Sequence, residues 1–173
     1  MQFIIPFSLT PLEYIDQFQI LDIKRPDSCP HCQVPNSFHK HGNYWRNIVT
    51  ADYEKQLPVA RFCCKVCRLT ISILPAFVLP YFQYSLLYIT AALQSIFLAC
   101  QTQLTELFRF YRKRFRQNIT RIEMFFRNEN WLDNHPLEEK EKARKIVCML
   151  TVPTAETFSQ KFHQQYKLNF MAN

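Results

Sequence analysis

Hydrophobic and polar positions alternate along the first half of the chain and then change to a helical spacing. Strand candidates are residues 43–50, which are rich in aromatic and β-branched side chains, and residues 57–62 and 69–74. Residues 18–23 alternate well enough to be a strand or a lead-in segment. After residue 75, apolar residues recur at steps of three and four, which indicates helices. The pattern therefore predicts an α+β protein, with residues 1–80 as a lead-in segment and sheet domain and residues 81–173 as an all-α domain.

Capping signals divide the second half into several helices. Residues 84–100 form the first, and Thr102 is placed to cap the next. The T-x-x-E sequence at 120–123 matches a capping box and predicts that a new helix begins there. Another helix is expected to open at His135, with Pro136 at its first position. A last helix is predicted over 154–170.

The candidate chemistry lies in two C-x2-C hooks. Cys29 and Cys32 form the first hook, and Cys64 and Cys67 form the second. Each hook lets two thiolates converge on one ion, so two hooks complete a tetrahedral site for Zn²⁺. Two hooks joined by short antiparallel strands constitute a zinc ribbon. The sequence therefore predicts one structural zinc per chain, held by these four cysteines.

Other residues compete for these ligand positions. Cys63 in place of Cys64 would give C-x3-C, a rarer spacing, and His39 and His41 are substitutes if one thiolate is not used. Disulfides would be the other use of clustered cysteines. The total of seven cysteines is odd, and the first residues lack the basic and continuous apolar regions of a secretory signal. A reducing cytoplasm, where clustered cysteines more often bind metal, is the expected location.

Composition narrows the function further. Gly42 is the only glycine, which argues against a Rossmann fingerprint or a P-loop. The longest apolar stretch, 86–100, is shorter than the roughly 20 residues that cross a bilayer, so no membrane span is expected. Four thiolates leave no open position on a zinc ion, and no nucleophile or metalloprotease motif is present. We expect a protein that is not an enzyme and has no small-molecule substrate.

The charge distribution points to an anionic partner. The net charge is +7, and residues 104–127 carry seven basic and two acidic residues. Arginine suits bidentate contact with phosphate, and here it lies on the polar face of a predicted helix whose other face is aromatic. DNA is the partner that this stripe favours, although a solvated face or a module that docks a protein through its aromatic helices gives the same pattern. The candidate phosphate contacts are Arg109, Arg112, Lys113 and Arg116, with Arg46 and Arg61 as lesser candidates.

A family resemblance covers roughly residues 25–130. It is carried by Cys29-Pro30-x-Cys32, His41-Gly42-x-Tyr44-x-Arg46, Val59-x-Arg61-x-x-Cys64-x-x-Cys67 and Thr70-x-Ser72-x-Leu74-Pro75-x-Phe77-x-x-Pro80. These runs resemble a transposon-associated group of bacterial zinc-ribbon proteins, similar to the DNA-binding front end of insertion-sequence transposases.

The resemblance implies that the four hook cysteines are the metal ligands and that Arg46 and Arg61 lie on the ribbon. It also implies that the following helices form a helix-turn-helix-like unit. A transposase catalytic domain is missing, so an accessory or regulatory protein is expected, with DNA and a transposase or other protein as partners. Gln33 and Arg68 stand where zinc knuckles often have glycine.

Overall fold

The computed structural model describes residues 1–99, 103–131 and 138–172, without the side chains of residues 152 and 153. The chain divides into two compact units, Met1–Tyr84 and Ser85–Asn173. We call the first the sheet unit and the second the helical unit. The α+β class predicted from the sequence is confirmed, because the first unit contains a sheet and the second is built of helices.

The sheet unit contains a four-stranded mixed sheet in the order β1-β4-β3-β2. β2 and β3 form an antiparallel pair, β4 lies antiparallel to β3, and β1 lies parallel to β4. All three strands expected over residues 43–50, 57–62 and 69–74 are present. However, β2 and β3 have 12 and 11 residues, so the expectation of short strands was wrong for this pair. The strands are β1 (Gln2–Ile5), β2 (Phe38–Val49), β3 (Glu54–Cys64) and β4 (Thr70–Pro75).

The lead-in segment has more structure than its pattern indicated. β1 was not predicted, because it is only four residues long and pairs with β4 some seventy residues away. Residues 18–23 are not a strand, since Phe18 ends helix α1 (Pro11–Gln17). A local signal for α1 exists: Thr10 Oγ1 accepts a hydrogen bond from the N–H of Glu13, whose carboxylate accepts one from the N–H of Thr10. This reciprocal capping box can be found in the sequence as T-x-x-E with proline at the first helical position.

Gly42 lies at a β-bulge in β2. The register of β2 against β3 shifts between Lys40 and Asn43, and Gly42 has a φ of +81°. A Cβ atom at this position would meet nothing within 4 Å. The positive φ, rather than lack of space, is therefore what favours glycine here.

The core of the sheet unit includes the hooks. Tyr14 and Phe18 of α1 belong to the same buried cluster as Cys29 and Cys64. The segment after β4 joins this core, because residues 76–79 are buried and the ring of Phe77 lies 5.6 Å from that of Tyr14. The four cysteines that are candidate metal ligands thus belong to the core of this unit or pack against it.

The helical unit differs from the predicted helix boundaries at several points. α3 runs without interruption through Thr120, so the helix start predicted there was wrong. The carboxylate of Glu123 pairs with Arg127 and Lys142 instead of capping a helix. Thr105 is the N-cap of α3, whereas Thr102, His135 and Pro136 lie outside the described residues. The helices are α2 (Leu86–Phe97), α3 (Glu106–Asn128), α4 (Glu139–Met149) and α5 (Val152–Tyr166).

An aromatic cluster forms the core of the helical unit. Phe126 stacks on Phe158 with ring centroids 5.1 Å apart, and Phe125 meets Phe158 and Phe162 edge-on or tilted. Trp131, just after the end of α3, packs against Phe125 and Phe126. None of the helices in the described ranges is both long and apolar enough to cross a membrane.

Candidate metal centre and cationic helix

The four hook cysteines meet at one point in the sheet unit. Their sulfur atoms all lie within 4.8 Å of one another, with 3.5 Å between Cys29 Sγ and Cys67 Sγ and 3.7 Å between Cys32 Sγ and Cys64 Sγ. Zn–S bonds of about 2.3 Å in a tetrahedron place sulfurs about 3.8 Å apart. The described cysteines are all free thiols. The donor set and its spacing therefore fit a tetrahedral metal ion, and zinc is the ion that four thiolates typically hold.

The two hooks have the same backbone hydrogen bonds. The N–H after the second cysteine donates to the carbonyl of the first: Gln33 to Cys29 at 2.8 Å, and Arg68 to Cys64 at 3.0 Å. The N–H of the first cysteine donates to the carbonyl five residues on, at 3.2 Å in the first hook and 2.9 Å in the second. Equal spacing in the sequence has thus produced two equivalent loops that approach one point from different parts of the chain.

Gln33 and Arg68 take the conformation that glycine favours. Their φ angles are +60° and +62°, in the left-handed region that costs an L-residue about 1 kcal/mol or more. The equivalent angles explain why knuckles of this kind often have glycine at these positions. Both residues also donate the N–H groups that close the hooks. The positive φ of these two residues is therefore required by the loop, despite its conformational cost.

Backbone N–H groups point at the sulfur atoms. Cys29 Sγ accepts from the N–H groups of His31 and Cys32, and Cys32 Sγ accepts from that of Val34. In the second hook, Val66 and Cys67 donate to Cys64 Sγ, and Leu69 donates to Cys67 Sγ. Such donors stabilise negative charge on sulfur, as a thiolate–metal centre requires.

Cys64 has one contact that the other three sulfurs lack. Ser37 Oγ lies 3.3 Å from Cys64 Sγ, and Ser37 is buried. This hydrogen bond, together with the N–H groups of Cys67 and Val66, lowers the pKa of Cys64 to about 6. At Cys67 the N–H of Leu69 acts in the same direction, but burial and the neighbouring thiols raise its pKa to about 12. Without a cation, four adjacent thiols do not all ionise near neutrality, because each thiolate opposes the next.

The structure separates Cys63 from the cluster. Its sulfur contacts the carbonyl oxygens of Cys64 and Arg68 at 3.7 Å, while Cys64 joins the other ligands. His39 and His41 are not members of the cluster either. Among the described residues, the four hook cysteines are the only group of side chains placed to hold a metal ion. Strand alternation explains why Cys64 joins the cluster and Cys63 does not, since adjacent residues of β3 point to opposite faces of the sheet.

The four main cationic candidates lie on the exposed side of α3. The side chains of Arg109, Arg112, Lys113 and Arg116 are all exposed. Arg109 pairs with Glu106, and Arg116 Nε donates to Glu139 at 2.6 Å. Both ion pairs are largely exposed, so they contribute little to stability and do not bury the cations.

Arg46 and Arg61 have different surroundings in the sheet unit. The Arg46 guanidinium donates to the carbonyls of Leu79 and Phe82, and burial lowers the pKa of Arg46. Arg61 lies over the ring of Tyr44, 5.8 Å from its centroid. Arg46 therefore ties β2 to the segment after β4, whereas Arg61 lies half-buried on the sheet.

Fold and site together define an α+β protein with a cluster of four cysteines whose sulfurs are spaced to hold a metal ion. Residues 29–115, which are half of the chain, match the model of DUF6431, a domain of unknown function, and the chain belongs to this family. The match begins at Cys29 and ends at Phe115, within α3. It therefore contains all four hook cysteines and three of the four main cationic candidates, and Arg116 lies one residue beyond it. No curated protein and no solved structure matches the chain. The resemblance to transposon-associated zinc ribbons stays a prediction.

Proposed function

We propose that this protein is a non-catalytic, zinc-stabilised DNA-binding protein of a reducing cytoplasm. In this proposal the cysteine cluster holds one structural Zn²⁺ and the sheet unit is a zinc ribbon. α2 and α3 act as a helix-turn-helix-like pair in which α3 faces the DNA. The resemblance to insertion-sequence transposases favours an accessory or regulatory role in transposition.

The observation that carries the DNA-binding proposal is the cationic side of α3. Arg109, Arg112, Lys113 and Arg116 fall within eight residues of one helix, and all four are exposed. The other side of α3 is packed, since Tyr111 and Phe115 are buried and the ring of Phe115 lies 5.4 Å from that of Phe97 in α2. A rigid helix that presents a row of cations suits the phosphate backbone, where most protein–DNA hydrogen bonds are made.

A protein-docking role is the second candidate, and exposed apolar side chains of α3 favour it. Phe110 and Met124 are 40% and 52% exposed. Arg114 covers part of the Phe110 ring, with its guanidinium carbon 5.0 Å from the centroid. A transposase subunit that packs on these residues would leave the cations of α3 to keep the surface soluble.

A salt titration of duplex DNA binding separates the two roles. Each neutralised phosphate contributes about −0.9 to the slope of log K against log salt, so four contacts give a slope of about −3.6. Replacing Arg112, Lys113 and Arg116 with Gln should bring the slope close to −1. The matched control replaces Lys24, Lys55 and Lys65, three exposed lysines of the sheet unit, and should leave the slope nearly unchanged. Binding that is indifferent to salt, or equally weakened in both triple variants, would contradict the proposal.

A further inference from the structure

A cleft in the helical unit places cations beside an apolar wall. Its volume is about 310 Å³. α2, α3 and α4 each contribute to its lining, which consists of Ile96, Phe97, Arg112, Arg116, Glu139, Lys140 and Ala143. Only two of these residues, Arg112 and Arg116, belong to the cationic row of α3, so the cleft adds a feature that a flat cationic helix does not have.

The polar side of the cleft favours an anion. Three cations face one carboxylate, and that carboxylate is already used, because Glu139 accepts a hydrogen bond from Arg116 Nε. This contact orients the guanidinium through Nε and leaves its terminal nitrogens to donate elsewhere. Within the described ranges, Arg112 and Lys140 have no hydrogen-bond or ion-pair partner. The first turn of α4 carries Glu139 and Glu141, which offset the positive end of its dipole, so the positive charge of the cleft comes from the three side-chain cations.

The apolar side of the cleft favours a flat or apolar body attached to that anion. Phe97 is half-buried and packs against Phe115, so its ring is held in place. Ile96 and Ala143 are nearly fully buried and continue the wall. Phosphate alone leaves such a wall unused, and a volume of this size is at the lower end of the range for sites that hold small organic ligands, about 300–1,000 Å³.

We propose that the cleft binds one unstacked nucleotide of single-stranded DNA. Its phosphate lies between Arg112, Arg116 and Lys140, and its base lies against Phe97. Stacking of bases on aromatic side chains beside a cationic groove is how single strands are commonly bound without sequence preference. The inference rests on the proposed DNA-binding function and adds to it a site for an unpaired nucleotide, such as one at a frayed end of the duplex.

The test uses a deoxynucleoside 5′-monophosphate as the probe and the full zinc-loaded chain. Binding is followed by amide chemical shifts, with inorganic phosphate and the unphosphorylated deoxynucleoside as comparison ligands. We expect the monophosphate to bind at least about tenfold more tightly than either, because only it uses both sides of the cleft. The protein amide resonances that shift when the monophosphate binds should be those at the end of α2 and the start of α4.

Three variants and one control complete the test. Lys140→Gln and Phe97→Leu should each weaken monophosphate binding by about fivefold or more, since each removes one side of the recognition. Ala143→Leu fills the cleft without changing its charge and should also abolish binding, with unchanged zinc content and circular dichroism as evidence of folding. Lys167→Gln is the control, because Lys167 is an exposed lysine of the helical unit that does not line the cleft and has no role in the proposed DNA contacts.

The outcomes distinguish this inference from the DNA-binding proposal. Phosphate that binds as tightly as the monophosphate, or equal losses in Lys167→Gln and Lys140→Gln, would overturn the nucleotide site. If the monophosphate does not bind while duplex DNA shows the steep salt slope, the cleft inference fails and the DNA-binding proposal stands. If neither binds, both fail.

Discussion

The sheet unit and the helical unit complete their cores in different ways. In the sheet unit, Cys29 and Cys64 lie in the same buried cluster as Tyr14 and Phe38, so the candidate metal ligands are core residues. In the described part of the helical unit no comparable cluster of ligands occurs, and stacked phenylalanines fill the core instead. A sheet domain of this size buries little surface, and a metal can supply what its core does not. The comparison teaches that metal should be essential to one unit and unimportant to the other.

Removal of the metal should break this comparison most strongly. Structural zinc contributes about 10–16 kcal/mol to the folding of zinc-finger peptides, which is as large as or larger than the stability of a typical domain, about 5–15 kcal/mol. Cys64→Ser, or a strong chelator, should therefore unfold the sheet unit and leave the helical unit folded. Amide hydrogen exchange resolved by residue is the measurement.

Cys63→Ser is the matched control for this experiment. Its thiol contacts only backbone carbonyls, so zinc and the protection of the sheet should be retained. Zinc that persists in Cys64→Ser but is lost in Cys63→Ser would mean that the wrong cysteine of the pair has been assigned as the ligand.

The converse experiment truncates the aromatic core. Phe126→Ala removes a ring that is fully buried and stacked on Phe158. A loss of about 3–5 kcal/mol is expected for such a change, enough to unfold a marginal helical unit. Zinc content and sheet protection should be unaffected. A simultaneous loss of zinc in this variant would show that the two units do not fold independently.

A smaller effect is expected from Glu123, which links α3 to α4. Its carboxylate is buried and pairs with Lys142 and Arg127. Burial alone would raise the pKa of Glu123, but the hydrogen bond and charge of Lys142, together with Arg127, lower it. Because the pKa is lower in the folded state, the ionised Glu123 stabilises the fold at pH values above the unfolded-state pKa, about 4.3. This stabilisation is lost as the pH falls through the folded-state pKa.

Urea unfolding of the helical unit as a function of pH measures this contribution. Glu123→Gln should cost about 1–3 kcal/mol at neutral pH and should reduce the acid sensitivity of the unit. Glu106→Gln, which removes an exposed partner of Arg109, should change little. An acid profile identical in wild type and Glu123→Gln would show that this carboxylate does not couple folding to pH.

The smallest expected effect is a stabilisation. Gln33→Gly and Arg68→Gly should each stabilise the sheet unit by up to about 1 kcal/mol, because glycine adopts the positive φ of these positions without strain. Part of this gain is offset by the greater freedom of glycine in the unfolded chain. Lys167→Gly, at the left-handed C-cap of α5, is the equivalent change in the helical unit and should not alter zinc affinity. A loss of zinc affinity in both hook variants would contradict the argument from backbone strain.

The sequence predicted what local patterns and spacing encode. The hooks were found from C-x2-C spacing alone, because each hook is a local turn whose geometry depends on a few residues. Preference for Cys64 over Cys63 also came from spacing, and the structure places Cys64 with the other ligands. The strands β2, β3 and β4 were indicated by short apolar, β-branched and aromatic runs, although β3 is buried at nearly every position from Leu57 onward and so does not alternate.

Other features depend on distant residues and could not be found in this way. β1 is defined by its pairing with β4, which no local pattern shows. The T-x-x-E at 120–123 indicated a helix start, but Glu123 is directed to Lys142 on α4, a partner that the local motif does not include. Arg46 matched a cationic motif, yet two carbonyls of the segment after β4 bind its guanidinium. The cleft is likewise a product of three helices and has no sequence signature of its own.

The most direct test of the central claim is metal analysis of the purified chain combined with X-ray absorption at the zinc edge. Four cysteines whose sulfurs already lie within 4.8 Å of one another should hold one zinc per chain. The absorption spectrum should show four sulfur atoms at about 2.3 Å and no nitrogen or oxygen in the coordination sphere. A folded sheet unit without metal, or a zinc ion with histidine or water among its ligands, would contradict the claim.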